Sequence, residues 1–295
     1  MKTKISVCIC TYKRPKLLKK LINALQHQDT SGLFIYNIKV VDNDRLGSAE
    51  ELIYEIRKNS SIPIMYHIEP EQNIALARNK AVIKADGDFI AFIDDDEIPS
   101  KSWLINLYKV SQEFRADGVL GPVLPYYEVE PPKWVVRGKF YERPSHRTGE
   151  VLNWENTRTG NILLRREIFD NPENLFAREF GSGGEDRDLF RRLIAKGLRF
   201  VWCAEAPVYE AVTAERCTRN FMLRRALLRG QLPHFTTVDL IKSLLAVPLY
   251  TAILPFTLIS AHHLFVKYLI KDCDHIGRIF SFCGINLISE KYIIK

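Results

Sequence analysis

Three acidic positions in this 295-residue chain have the residue types and spacing to do chemistry. They are Asp42 in VVDND, Asp94, Asp95 and Asp96 in FIDDDE, and Glu185 with Asp186 in GSGGEDRDL. Three adjacent aspartates repel one another, so a strand end that carries them needs a cation or strong hydrogen bonding in compensation. A hard divalent ion, Mg2+ or Mn2+, is the simplest compensation, because it takes one or two carboxylates, several waters and the phosphates of a substrate. The alternative is a solvated turn or an ordinary helix start, where acidic residues are favoured anyway. Glu185 and Asp186 follow Gly181, Gly183 and Gly184, so a permissive turn delivers two carboxylates to the first turn of an arginine-rich helix. One of the two suits a general base that takes a proton from an attacking hydroxyl; the alternative is a helix-end charge pair. Arg78 lies in NIALARNKA, an otherwise small and apolar stretch, and a cation there reaches toward a base or phosphate, or else is a surface arginine. Asp42 is the least specific of the set, since an Asx turn at a strand end uses the same residue.

The elements that must position these residues are legible as alternating periods. Lys4 to Cys10 is a β-rich apolar run, and Leu18, Leu21, Ile22 and Leu25 follow at helical spacing. Ile38 to Val41 leads into Asp42, and Ala49, Leu52, Ile53 and Ile56 repeat the helical stripe before a short strand at Ile64 to Ile68. A third helix is expected near Asn73, and Phe89 to Ile93 is a strand that stops at the acidic run. Ser102 is expected to cap the helix carrying Leu104, Leu107 and Tyr108. Strand–helix alternation of this kind predicts an α/β fold with a mostly parallel sheet, whose ligands sit at the carboxyl ends of the strands. After Val119 to Val123 the prolines 122, 125, 131, 132 and 144 mark a long irregular connection, and order returns with a strand from Gly160 and a helix after the glycine-rich turn.

The composition narrows the partners without choosing among them. Forty-two Lys and Arg against 35 Asp and Glu give a net charge of +7, which suits nucleotide phosphates or anionic lipid. The basic residues cluster beside an apolar tail and form no recognised reader motif, which disfavours nucleic acid. Six cysteines without a CxxC pair indicate neither a zinc site nor a disulfide framework, and fit a reducing compartment. The start of the chain lacks the apolar h-region of a signal peptide.

Taken in order, CTYKRP, VVDND, ALARN, FIDDDE, TGN and GEDRDL resemble family 2 glycosyltransferases of the GT-A fold, in particular those of succinoglycan and related bacterial exopolysaccharide assembly. The likeness runs from about Ile5 to Arg216. It implies a nucleotide-diphosphate sugar donor, a saccharide or polyprenyl-diphosphate-linked acceptor, and a divalent metal. It also implies that Thr11, Tyr12 and Arg14 line the nucleotide pocket, Asp42 contacts the base and Arg78 helps hold the nucleotide. Asp94 would lie by the ribose or the metal, with Asp96 a metal ligand; Gly160 and Asn161 would border the sugar. Glu185 would orient hydroxyls and Asp186 would be the catalytic base of an inverting transfer. Two departures stand out. Asn73 replaces a glycine ahead of ARN and can adopt the left-handed backbone in its place. Where relatives supply a late histidine to metal or phosphate, PVYEAVTAER offers Glu210 and Arg216.

Three segments are expected: residues 1–118 for the nucleotide sugar, 119–216 for acceptor and base, and 217–295 as a basic, apolar tail. In that tail Arg219, Arg224, Arg225 and Arg229 share a predicted helix with Phe221, Leu223, Leu227 and Leu228, a combination suited to an anionic membrane surface. Ser243 to Val266 has no Asp, Glu, Lys or Arg, but Pro248 and Pro255 interrupt it and basic residues flank both sides. That pattern predicts a re-entrant or interfacial hairpin at the cytoplasmic face of the plasma membrane, against a kinked span or a buried soluble hairpin. Two other functions compete. A nucleotidyltransferase would want a glycine-rich phosphate loop after the first strand, which CTYKRP lacks, and a non-catalytic membrane scaffold would tolerate loss of Asp186.

Overall fold

The computed structural model describes residues 2–231 and 236–290; positions 232–235 and 291–295 of the expected tail lie outside the described residues. In chain order the elements are β1 (Thr3–Thr11), α1 (Pro15–Leu25), β2 (Phe34–Asp42), α2 (Glu50–Arg57), β3 (Ile64–Ile68), α3 (Ile74–Lys84), β4 (Phe89–Ile93), β5 (Glu97–Pro99), α4 (Trp103–Glu113), β6 (Gly118–Leu120) and β7 (Val123–Tyr127). They continue with α5 (Lys133–Gly138), β8 (Asn161–Arg165), α6 (Glu185–Ala195), β9 (Phe200–Trp202), β10 (Val208–Val212), α7 (Arg219–Gly230), α8 (Thr237–Ser260) and α9 (His262–Phe282). The chain forms two compact units. One comprises Met1–Leu124 with Arg143–Ala211, the other Pro125–Glu142 with Val212–Lys295.

The first unit is built on a seven-stranded sheet of order β3-β2-β1-β4-β8-β6-β9. β1 lies parallel to both β2 and β4, so the strand order reverses between β1 and β4 and opens a crevice at their carboxyl ends. β8 enters antiparallel to both β4 and β6, so the sheet is mostly parallel, as expected, with one reversed strand. The reason lies in the connection, because β8 is reached through the long proline-marked segment and not through a strand–helix–strand crossover. Residues on both sides of position 118 therefore share one sheet, β4 pairing with β8.

Sequence periodicity accounts for most of the packing. Leu18, Leu21, Ile22 and Leu25 are completely buried on α1, which begins with Pro15 where a missing N–H costs nothing. α3 presents Ala75, Ala77 and Ala81, small residues that let a helix lie close on a sheet. Two details differ from expectation. Asn73 is not left-handed: it is extended (φ −160°, ψ 112°), and its side chain accepts from Leu76 N as an N-cap. Ser102 occupies the N-cap position of α4 but makes no capping bond, and Gln28 Oε1 takes the Leu104 N–H instead.

The second unit is helical. Val135, Val212, Cys217 and Met222 form its buried cluster. α7 and α9 approach closely because Gly230 and Gly277 lack side chains; a Cβ on Gly277 would stand 2.4 Å from Leu227 O. Thr236 and Asp239 form a reciprocal capping box that starts α8. Contrary to expectation, Pro248 and Pro255 do not end α8, which stays helical through both. α8 and α9 then pair as an antiparallel hairpin, with Thr251 bonded to Asp272 and Ser243 to His275 and Arg278. The segment Thr237–Ile259 has the length and composition to cross a membrane, and little of it is buried.

Candidate active site

The reversal between β1 and β4 brings two of the predicted motifs together. Thr11, 3% exposed at the end of β1, donates its hydroxyl to Asp95 Oδ2 at 2.8 Å. Arg14 Nη1 reaches Asp95 Oδ1 at 3.1 Å and Asp96 Oδ2 at 3.4 Å. The acidic run is thus divided by role: Asp95 is enclosed and held by β1, while Asp94 and Asp96 stand on either side of it. Tyr12 is half-buried, and the Lys13 ammonium lies 5.2 Å over its ring. Lys13 takes a left-handed backbone (φ 55°), which turns the chain out of β1 toward α1.

Asp42 ends β2 beside Thr11, whose carbonyl accepts from Asn43 N at 2.8 Å. The Asp42 carboxylate is fully enclosed. It accepts from Asp44 N, Ser48 Oγ, Ala49 N and the Tyr66 hydroxyl, so protein donors take up both of its oxygens. The Asx turn is present, with Asp44 N bonded to Asp42 Oδ1, and it shapes the loop leading into α2.

Arg78 joins the remaining motifs. It is 8% exposed, so it is no surface arginine, and it lies over the Phe176 ring. Its Nη2 contacts Asp94 Oδ1 at 3.3 Å and its Nη1 is bonded to Glu185, which is itself 3% exposed. A buried carboxylate needs such a partner, because burial alone would drive it neutral. Gly184, at φ 88°, makes the left-handed turn that starts α6 and carries Glu185 inward while Asp186 remains half-buried. Asp186 Oδ1 accepts only the local Arg187 N–H among the bonds described, leaving carboxylate capacity for another proton or donor.

Gly160 precedes β8 and has no room for a side chain: a Cβ would fall 2.7 Å from Glu97 Oε1 and 2.9 Å from Asp94 Oδ2. Asn161 is completely buried and saturated by protein, accepting from Trp103 Nε1 and donating to Pro122 O and Ala206 O. It pins the β8 end in place, and its backbone neighbour Gly160 is what lies against the carboxylates.

Three groups of this site escaped the sequence reading. Glu97 on β5 faces Glu210 on β10 across an antiparallel pair, and Arg143 is ion-paired to Glu210. Arg158, half-buried, lies in the field of Arg143, Asp186, Glu97 and Glu210. Only the tertiary fold brings residues 97, 143, 158 and 210 together, although Glu210 had been noted at the position of a late histidine. Burial pushes the Asp96 carboxyl up to about 7, assisted by Asp95 and Glu210 and opposed by Arg14. Burial likewise raises Glu97 well above the usual carboxylate range, assisted by Asp94, Asp96 and Glu210. The cluster carries more negative charge than its arginines offset, and a bound cation would relieve it. Among the described residues no group of three or more His, Cys, Asp or Glu is arranged to hold a metal. The carboxylate oxygens of Asp94 and Asp96 are hard donors of the kind that Mg2+ and Mn2+ take.

Comparisons with known proteins bear on the family and the fold. The family described as Glycosyl transferase family 2 matches residues 6–171, more than half of the chain. The succinoglycan biosynthesis protein ExoM of Rhizobium meliloti (strain 1021) is 34% identical over 232 residues, which cover 77% of this chain and 73% of that protein. The structure of S. aureus TarS 1-349 in complex with UDP-GlcNAc superposes with a TM-score of 0.56 at 16% identity, covering 96% of this chain and 92% of that one. The structure of GalNAc-T7 with UDP, GalNAc and Mn2+ gives a TM-score of 0.53 at 14% identity, over 75% of this chain and 47% of that one.

Proposed function

This chain belongs to glycosyl transferase family 2 and has the GT-A fold, and on that premise we propose that it transfers a hexose, with inversion, from a UDP-sugar to a saccharide or lipid-linked saccharide in bacterial surface polysaccharide synthesis. The observation that carries the reading is the convergence, at the β1/β4 crevice, of Arg78 with Asp94 and Glu185, beside a half-buried Asp186. Asp186 takes the proton of the acceptor hydroxyl. The hydroxyl oxygen forms a bond to the anomeric carbon as the bond from that carbon to phosphate breaks, and the nucleoside diphosphate leaves with the electron pair. A donor of α configuration then yields a β-glycoside. Glu185, held by Arg78, orients hydroxyls of sugar or acceptor. Thr11, Tyr12 and Arg14 line the nucleotide side, where Asp42 acts through the loop it holds. Gly160 lets the backbone close on Asp94 and Glu97 at the border of the sugar, and the enclosed Asn161 fixes that edge.

Asp94 and Asp96 would hold a divalent cation, Mn2+ or Mg2+, which when bound supplies positive charge at the diphosphate. The GalNAc-T7 structure with Mn2+ supports that choice, as the TarS complex with UDP-GlcNAc supports a UDP-sugar. The relation to ExoM supports a place in polysaccharide assembly. For the second unit, the exposed apolar α8 and the arginines of α7 support attachment to the cytoplasmic face of the plasma membrane, peripheral or re-entrant, where a lipid-linked acceptor presents its hydroxyl.

The test is release of nucleoside diphosphate from a panel of UDP- and GDP-sugars, with membrane extract as acceptor source and Mn2+ or Mg2+ present. Donor-specific, acceptor-dependent release that is lost in Asp186→Asn and Asp96→Ala supports the transferase and identifies the sugar. Failure of the wild type to bind any sugar nucleotide would sink it.

A further inference from the structure

Among the described residues, four arginines stand among the carboxylates of the candidate site, and three of them are engaged by carboxylates. Arg14 is paired with Asp95 and Asp96, Arg78 with Asp94 and Glu185, and Arg143 with Glu210. Arg158 is different: among the described residues no protein acceptor lies within hydrogen-bond or ion-pair distance of its guanidinium. It is nevertheless half-buried, two residues before the Gly160 backbone that abuts Asp94 and Glu97. Trp154, four residues before it, lies against Arg187 of α6, so the segment from Trp154 to Gly160 runs from the start of that helix to the acidic turn. A half-buried guanidinium whose five donors meet no protein acceptor among the described residues is available to an anion.

We infer that Arg158 holds a phosphate oxygen of the diphosphate carried by the substrate, the cation that Arg14 and Arg78 do not supply because carboxylates already engage them. The planar guanidinium fork suits two phosphate oxygens at once, which neither a single ammonium nor a neutral amide reproduces. Burial and the neighbouring Arg143 lower the Arg158 pKa while Asp186, Glu97 and Glu210 support its charge, in keeping with a guanidinium that needs an anion to complete it. The chemistry has two sources, the donor nucleotide or a diphosphate-linked acceptor, and both are present only if the glycosyl-transfer reading is right.

The experiment measures binding of UDP, UMP and uridine by calorimetry, with Mn2+ and with EDTA, to the full-length wild type, Arg158→Gln and Arg158→Lys. The expected result is that Arg158→Gln weakens UDP by about tenfold or more while uridine is unchanged, with Arg158→Lys intermediate. If UDP binding is unaffected but KM for a diphosphate-linked acceptor rises by a similar factor, the same contact is made to the acceptor. Equal weakening of UDP and uridine, or no change in either UDP affinity or acceptor KM, overturns the inference. So does an unchanged affinity with a displaced acid limb of the kcat profile, which would make Arg158 a partner of Asp186 only. Wild-type protein that binds neither UDP nor any other nucleoside diphosphate would overturn the transferase reading itself, a distinguishable failure.

Discussion

Arg78 and Asp186 separate two kinds of residue that a motif presents side by side. Arg78 carries the charge balance of the buried Glu185, so removing it leaves an ion without a partner. Arg78→Met should destabilise the protein by about 3–5 kcal/mol in urea unfolding, and adding Glu185→Gln should restore part of that loss through a measurable coupling. Full additivity of the two substitutions would show that the pair does not act as a unit. Asp186 has no such structural duty in its described bonds. Asp186→Asn should therefore leave the unfolding midpoint and donor binding near wild type while kcat falls by about 10²–10⁴-fold. Loss of donor binding in step with kcat would remove it from the role of base. Both residues were legible as candidates in ALARN and GEDRDL, but that Arg78 bridges the two motifs was not, because Arg78 and Glu185 are 107 positions apart.

At the scale of elements, close approach and charge pairing hold the strands that form the crevice. Gly160→Ala places a methyl group on Glu97 and Asp94, so it should lower activity and weaken Mn2+-dependent UDP binding with little change in helix content by circular dichroism. Unaltered Mn2+ dependence would contradict the placement of Asp94. At the opposite strand ends, Asp86 gathers Lys4, Ser6, Asn37 and the buried Lys39. Burial there acts to raise the carboxyl, but the bonds from Lys4, Asn37 and Lys39 outweigh it and hold Asp86 far below the usual carboxylate range. Its folded pKa lies below the unfolded value of about 4, so its contribution is present above that pH and fades as the pH falls through the folded value. Asp86→Asn should cost about 1 kcal/mol at neutral pH, kept small by the exposure of the carboxylate, and the gap to wild type should close in acid. A gap that widens below pH 4 would refute this. Lys39 lies in the strand expected from Ile38 to Val41, and periodicity gives no sign that a buried lysine there has a partner after α3.

For the whole molecule, the chain pairs a transferase unit with a helical unit whose α8 exposes Leu245, Leu249, Phe256 and Ile259. If that face enters a bilayer, Leu245→Asp and Leu249→Asp should each reduce co-sedimentation with anionic vesicles by about tenfold or more, and binding should weaken as salt rises. Unchanged sedimentation would assign the apolar face to a protein contact. The basic and apolar composition of this region was plain in the sequence. Its local conformation was less so, since two prolines argued for interruption and the helix instead continues through both.

What the amino-acid order determined by itself was local and periodic: the first four strands, the stripes of α1 and α2, the acidic stop of β4 and the glycine turn that starts α6. Those follow from apolar spacing and backbone preference, which act over a few residues. The tertiary structure decided which charges meet. Asp95 belongs to Thr11 and Arg14, Asp42 to its own turn, Asn161 to Trp103, and Glu210 to Arg143 across 67 positions. It also decided that β8 runs antiparallel, inserted between strands that precede it in the chain. Ion pairing and strand insertion depend on distances closed by folding, and no spacing rule in the sequence encodes them.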